Sequence, residues 1–590
     1  MTFTSNCDFY VAIQDAGINR AVRHVMKQRP SLFNYGTALL VEEPRLLCSP
    51  VDVDPRVTAA DNPMVTVLPP LPVLMSPYRM NYAVQLADFG QVDFAPSNVI
   101  TLPSALNPPL PDQRLAVHLQ VCGGLGCPGS EETPGVAPID EQGVTVLPTQ
   151  QLDCFCLDLF ATAGCGIHTG STGNQTIRPT VDGIFIGGLQ PAGLEESIVC
   201  YAKTALDSGF LPLVGQIVSP IAFGLLTIPQ TTTGNIQVSG DIQVSASTTV
   251  PNNPAIQDDQ LEAFIDLDKI DLNITTGGGI GGPGSSGGTV TRTTRPRTRT
   301  GTFDLTAAVS ADAFTKIFGA FMKGFRFNES GSGSYGPFSV SYDVAAHLEA
   351  GSIKLLNTGG IELRDLVIKW DTLSLTFGVT LPNVCTPGFC LVPNPFDGCA
   401  VYISPKCVWS TPPTISFTID LGGLLDSKVT VTGNPKVFYG VGSGVTNRWQ
   451  IAVEPVLPIL IDIIDLADTA SSLFQTLITN AIDSLISGLP QWAQDLINAI
   501  LGSIDDIITT VLGIPDDIVE WLMDVISNLG IYQDLADALA QYISITIFEV
   551  DDPFLVLPPQ GALIPVMLPI DYLGISVNSN EMVVQGDMGD

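Results

Sequence analysis

The sequence predicts an α+β chain of two like units, each a long, highly twisted antiparallel sheet wrapped around amphipathic helices and elongated overall. Three observations carry this prediction. The stretch CDFYVAIQDAGINRAVRHVMK (7–27) changes period partway. Phe9, Val11 and Ile13 alternate as one strand face, then Ile18, Ala21, Val22 and Val25 recur at helical spacing. The stretch FDLTAAVSADAFTKIFGAFMK (303–323) makes the same change. Finally, hydrophobic residues make up 45% of the 590-residue chain and charged residues 14%. That apolar surplus requires a large buried area or a hydrophobic cargo.

The two openings align at an offset of 303 − 7 = 296. Asp8 then meets Asp304, Ala12 meets Ala308, Met26 meets Met322 and Lys27 meets Lys323. The strand face Phe9, Val11, Ile13 meets Leu305, Ala307, Val309. The helix stripe Ile18, Ala21, Val22, Val25 meets Phe314, Ile317, Phe318, Phe321. Asp15 and Ser310 read as N-caps, and Pro30 and Gly324 as stops. Long alternating strands follow in both copies, at 80–94 and 341–356. Alternating strands ending in C-x4-C come next, at 115–127 and 375–390. Helix-rich blocks are expected at 193–223 and, enlarged, at 453–545. Strands at 234–247 and 572–587 close the copies. An internal duplication accounts for this order, and chance likeness of two α+β domains is its rival.

The domains are therefore placed at 1–250 and 302–590, with a strand and a Gly/Ser/Arg-rich linker or loop at 251–301. Arg292, Arg295, Arg297 and Arg299 form the only basic cluster. Its plain reading is a linker, and the alternative is docking on an acidic surface. In the block 456–530, Pro490 and Pro515 break the helical run, because proline lacks the amide donor. Its Leu/Ile stripes face Asp residues, which favours packed helices over membrane-surface helices, since those carry Lys and Arg on the polar face.

A net charge of −34 excludes a phosphate-binding surface and electrostatic docking on anionic lipid. No apolar run of 18 residues is present, so no transmembrane span is expected. The start MTFTSNCDFY lacks a basic start followed by an apolar run, so no secretory leader is expected from it. Twelve cysteines are nonetheless many for a reducing compartment. Cys122, Cys127, Cys154, Cys156, Cys165, Cys385, Cys390, Cys399 and Cys407 are taken as disulfide candidates. Zinc is the lesser alternative, because the spacing lacks paired C-x2-C knuckles. An extracellular or cell-surface location by a non-classical route is expected, with the cytoplasm as the alternative.

Catalytic chemistry is missing from the pattern. His24 reads as solvated, while His118 and His347 lie in alternating strands as hydrogen-bonded structural residues. Cys165 with His168 is a weak thiol–base or metal pair. Asp266, Asp268 and Asp271 alternate as the wet face of a strand and lack the Gly and Glu of a calcium loop. The glycine run at 277–288 has no P-loop lysine. No enzyme activity, cofactor or metal is expected.

The openings FYVAIQDAGINRAVRHVM and LTAAVSADAFTKIFGAFM, with the closing GISVNSNEMVVQGD, resemble the tubular lipid-binding (TULIP) superfamily. Bactericidal/permeability-increasing protein and bacterial toxin-accessory proteins are the relatives meant. The resemblance implies a non-enzymatic protein that holds a lipid or other hydrophobic small molecule in an apolar tube. Val22, Val25, Phe314, Phe318 and Phe321 would face its interior. The alternative is a structural or assembly component of a larger particle, surface layer or toxin-associated complex, binding a protein partner or its own copies. Its interiors would then be filled by its own side chains.

Overall fold

In the computed structural model the change of period at the N-terminus is a change of element. Strand β1 (Phe9–Gln14) runs straight into helix α1 (Asp15–Gln28). The stripe Ile18, Ala21, Val22 and Val25 is the buried face of α1. The structure describes residues 2–127 except 74–77, 89, 97 and 98; 145, 146, 149–169 and 175–187; a few positions in 199–212; 232, 233 and 236–276; and 303–590 except 394–397, 442–446, 460, 467, 468, 516, 544 and 545. Most of the expected block 193–223 and linker 275–301 lies outside these residues.

The expected cap at the start of α1 sits one place earlier. Gln14 is the N-cap, and Asp15 is the first helical residue, its Oδ1 accepting from the Ala16 N–H at 2.5 Å. A carboxylate so close to the helix start cannot reach the amides of the third turn position. The first half continues with β2 (Asn34–Gly36), β3 (Tyr82–Leu86), β4 (Gln91–Phe94), β5 (Leu115–Cys127), β6 (Gln151–Thr169) and β7 (Gln175–Gly187). They form one sheet in the order β7–β6–β5–β3–β2, with β4 also on β5. The single strand expected over 80–94 is thus two, parted around Asp88 and Gly90, both turn formers. Strands β8 (Ile236–Ala246) and β9 (Gln260–Thr276) end this half.

The second opening repeats the first: β10 (Leu305–Ser310) runs into α2 (Ala311–Met322). Here the cap is where expected, with Ser310 Oγ accepting from the Ala313 N–H at 3.0 Å. Next come β11 (Arg326–Tyr335), β12 (Phe338–Leu355), β13 (Ile361–Thr380), a hairpin of β14 (Phe389–Pro393) and β15 (Cys399–Ile403), then β16 (Thr414–Asp420), β17 (Leu425–Val441) and β18 (Asn447–Pro455). Helices α3 (Thr469–Ser487), α4 (Gln491–Leu501), α5 (Ile518–Asn528) and α6 (Ile531–Ile543) follow. Strands β19 (Thr546–Asp552), β20 (Ile570–Val577) and β21 (Glu581–Met588) close the chain.

The second sheet runs β11–β12–β13–β17–β18–β19, and bulges on β12 and β13 bend it. The helical block begins later than the expected 453, because Ile451 and Val453 are strand residues paired to β17. Helices α3, α5 and α6 fill the sheet's apolar face. Phe377 on β13 stacks on Phe417 at 5.3 Å and meets Phe474 and Trp521 at 5.5 and 5.6 Å between ring centroids. This interior is dense with the protein's own aromatic rings.

Between the two sheets lies a third, ordered β8–β9–β1–β10–β21–β20. Strands β1 and β10 are antiparallel neighbours, with Phe9 opposite Val309, Val11 opposite Ala307 and Ile13 opposite Leu305. At the 296 offset Val11 corresponds to Ala307, so each strand faces its own counterpart. The contacts around this pair are reciprocal. Gln14 N–H donates to the Asp304 carbonyl and Ser310 N–H to the Asp8 carbonyl, each at 2.9 Å. Asp8 Oδ2 accepts from Leu267 N–H, and Asp304 Oδ2 from Met588 N–H, each at 2.9 Å. Arg20 of α1 pairs with Asp304, while Lys316 of α2 pairs with Asp8 at 3.5 Å.

The C-terminal segment then returns to the first half. Arg29 donates to the carbonyls of Pro558 and Ile564 at 3.2 and 2.6 Å. The Gln28 amide bonds both the N–H and the carbonyl of Met567. Val566 and Leu568 are buried in the first core. Residues that sequence order places in the second unit therefore complete the first.

Candidate functional site

On one face of the first sheet the alternation of β3, β5 and β6 produces an apolar lane. Cross-strand pairing places Leu115, Val117 and Leu119 of β5 beside Ala163, Ala161 and Leu159 of β6, all buried in the first core. One row further out, Leu86, Val121 and Leu157 are half-buried. The next row, Tyr35, Val84, Gly123 and Phe155, crosses four strands and is open except at the glycine. Leu125 lies beyond it, also exposed. At ~4.8 Å per strand the open row is about 14 Å wide.

Gly123 matters because of what a side chain there would strike. A Cβ would come within 2.8 Å of the Phe155 ring, so the glycine lets that ring lie flat along the lane. Phe155 itself is 55% exposed. The opposite face carries two disulfides, Cys48–Cys154 and Cys122–Cys156. Beneath it Gln85 is fully buried and donates to Asn34 Oδ1 and to the Ser49 carbonyl. One face of this end is thus locked and the other open. A cleft of about 100 Å³ near Met26, Phe33 and Leu86 is too small for an acyl chain.

The residues expected to line a tube lie elsewhere. Val22 and Val25 are wholly buried in the first core. Phe314 and Phe318 stack on each other at 5.6 Å in the second core. The structure does not bring the two pairs together, and the Phe321 side chain lies outside the described residues. No signal in the sequence marks Tyr35, Val84, Leu125 and Phe155 as a site. Alternation in LDCFCLDLF (152–160) puts Phe155 on a face, but it does not say which end of that face is covered.

Two further disulfides, Cys385–Cys407 and Cys390–Cys399, staple the β14–β15 hairpin. Cys48 joins the expected cysteines, whereas Cys165 is corrected to a free thiol. It packs against the first core, where burial pushes the thiol up to about 12. The Cys127 side chain lies outside the described residues. Cys165 and His168 are three apart on β6, so they point to opposite faces and form no pair. His24 is half-buried rather than solvated. Its Nε2 lies 3.1 Å from the Gly589 carbonyl, and burial lowers its pKa. His118 and His347 each contact an aspartate, Asp158 at 3.2 Å and Asp371 at 2.8 Å. Among the described residues no cluster of His, Cys, Asp or Glu could hold a metal ion. Among them, too, no helix is long and apolar enough to cross a membrane.

One buried acid gives stability a pH dependence of its own. Burial raises the Asp15 carboxyl to about 6, and the nearby charges of Asp93 and Asp259 push the same way. Its Oδ2 is buried without a hydrogen-bond partner. A pKa above the unfolded value means the folded state holds the extra proton. The contribution to stability is full below about 4 and is lost as pH rises through about 6. Asp15→Asn is therefore expected to raise stability at pH 7.5 by at most about 3 kcal/mol, with the gain vanishing near pH 4. Thermal melts across that range check it, and a pH-independent difference would refute the assignment.

No protein-family model matches this chain, and no curated protein matches it. Several solved structures are similar to it. One is the crystal structure of lipopolysaccharide binding protein, 10% identical over 99% of both chains, with a TM-score of 0.27. Another is P47 from Clostridium botulinum A2, 8% identical over 99% of this chain and 98% of that one, with a TM-score of 0.25.

Proposed function

We propose that this chain is a tandem TULIP-like binding protein, without catalytic activity, whose first half holds a lipid or similar slender hydrophobe on the open lane. The observation that carries the reading is the row Tyr35–Val84–Gly123–Phe155, apolar, exposed except at the glycine, and continuous with the buried core. Water on such a row is released when an acyl chain covers it, at about 0.8 kcal/mol per methylene buried. The duplication is supported by the palindromic strand order about β1 and β10 and by the reciprocal Asp8 and Asp304 contacts. Four disulfides favour an oxidising, extracellular setting.

The test is uptake of a fluorescent fatty acid, with native mass spectrometry of the purified protein. Wild type is expected to bind, and Val84→Asp with Phe155→Asp to weaken binding at least tenfold. No uptake by wild type, or equal uptake by the variant, would discard the proposal. A second reading, a structural subunit without cargo, draws on the second half alone, whose interior is filled by Phe377, Phe417, Phe474 and Trp521. A lipid-free oligomer in light scattering would favour it.

A further inference from the structure

The β14–β15 hairpin stands out from the second half with its apolar side chains turned to water. Phe389 is 53% exposed, Leu391 57%, Tyr402 58% and Ile403 40%. Phe389 and Ile403 are cross-strand partners, so they present one patch. The Tyr402 ring lies over Gly388, where a Cβ would collide with it. The base is anchored: Val384 is buried in the second core, and Val408 and Trp409 pack against it. Thr386 N–H donates to the Lys406 carbonyl at 3.0 Å, and the Cys385–Cys407 disulfide closes the base. The Cys390–Cys399 disulfide closes the hairpin above it.

The patch continues onto a helix. Lys406 Nζ lies 4.4 Å from the Trp492 ring centroid, bringing α4 against the hairpin. Trp492 and Ile500, eight residues apart on α4, are 43% and 51% exposed on one face, with Leu496 between them half-buried. Folding buries neither group, and exposed large apolar side chains gathered in one place mark an interaction surface.

Charge decides the partner. Residues 383–413 carry only Asp397 and Lys406 as formal charges, −1 + 1 = 0, in a chain of net charge −34. Helix α4 adds only Asp495. Together the hairpin and α4 come to −1 + 1 − 1 = −1, a nearly uncharged patch on a strongly acidic protein, which suits zwitterionic headgroups better than anionic ones. Phe, Tyr and Trp beside a Lys with a long apolar stem are the residues that settle at the boundary between headgroups and acyl chains. The two staples hold the side chains in place beforehand, so little ordering cost is left to offset the gain.

We propose that the disulfide-stapled hairpin, with the outer face of α4, docks this protein on the surface of a zwitterionic lipid bilayer. The site uses residues distinct from the apolar lane, and each can fail without the other.

The experiment is flotation of the full chain with phosphatidylcholine vesicles, with and without 30% anionic lipid. Wild type is expected to float with neutral vesicles, independently of salt, and less well with anionic ones. Phe389→Ser with Leu391→Ser is expected to cut the bound fraction at least tenfold, leaving melting and fatty-acid uptake unchanged. Acyl chains brominated near the headgroup are expected to quench tryptophan emission in wild type and less in Trp492→Phe. Wild type that stays with the unbound fraction, or variants that float equally well, would overturn the proposal. So would self-association abolished by the same substitutions without vesicle binding, which would make the patch a contact between copies.

Discussion

Phe377→Ala is expected to lower the stability of the second half by about 3–5 kcal/mol. Phe377 is fully buried at the meeting point of β13, β16, α3 and α5. Its ring contacts Phe338, Phe417, Phe474 and Trp521 at 5.3 to 5.9 Å. Truncation removes the transfer free energy of the ring and leaves a cavity that four rigid neighbours cannot collapse into. Urea unfolding followed by tryptophan fluorescence reads the loss, since Trp521 is in the cluster. A loss below about 1 kcal/mol would mean the rings are loosely seated, reopening the second half to a ligand.

Asp304→Ala is expected to cost a similar amount, about 3–5 kcal/mol, for a different reason. The Asp304 side chain is almost wholly buried and accepts from Arg20 and from the Met588 N–H. Removing it strands a guanidinium, whose other carboxylate, Asp590, is 3.4 Å away and mostly in water. The counterpart Asp8→Ala should cost only about 1–2 kcal/mol, because Lys316 is half exposed and solvent screens the pair. Chemical denaturation of both variants checks the order. Equal losses would show that burial does not set the difference.

Much of the local structure is legible in the chain. The shift from period two to helical spacing marks both strand–helix openings to within a residue or two, because burial of one face leaves a periodic trace. The same trace cannot tell a packed core from a ligand tube. Val22, Val25, Phe314 and Phe318 are apolar in either case, and the structure buries all four in cores. The Arg20–Asp304 and Lys316–Asp8 contacts span nearly 300 residues, and no local pattern encodes them. Cys48 stands alone in the sequence, and only folding carries it to Cys154. The lane was hidden for a further reason. Its residues alternate like any strand face, and which rows stay open is set by segments distant in sequence.

The crossed aspartate contacts also bear on ancestry. A carboxylate answered by the other half's cation, on both sides, is the contact set of an isologous pair, in which each partner supplies what its twin lacks. If the halves arose by duplication, their forerunner associated with itself before its gene was fused. On that history, fusion would free each copy from staying self-complementary, so that one interior could be plugged with helices while the other kept an uncovered edge.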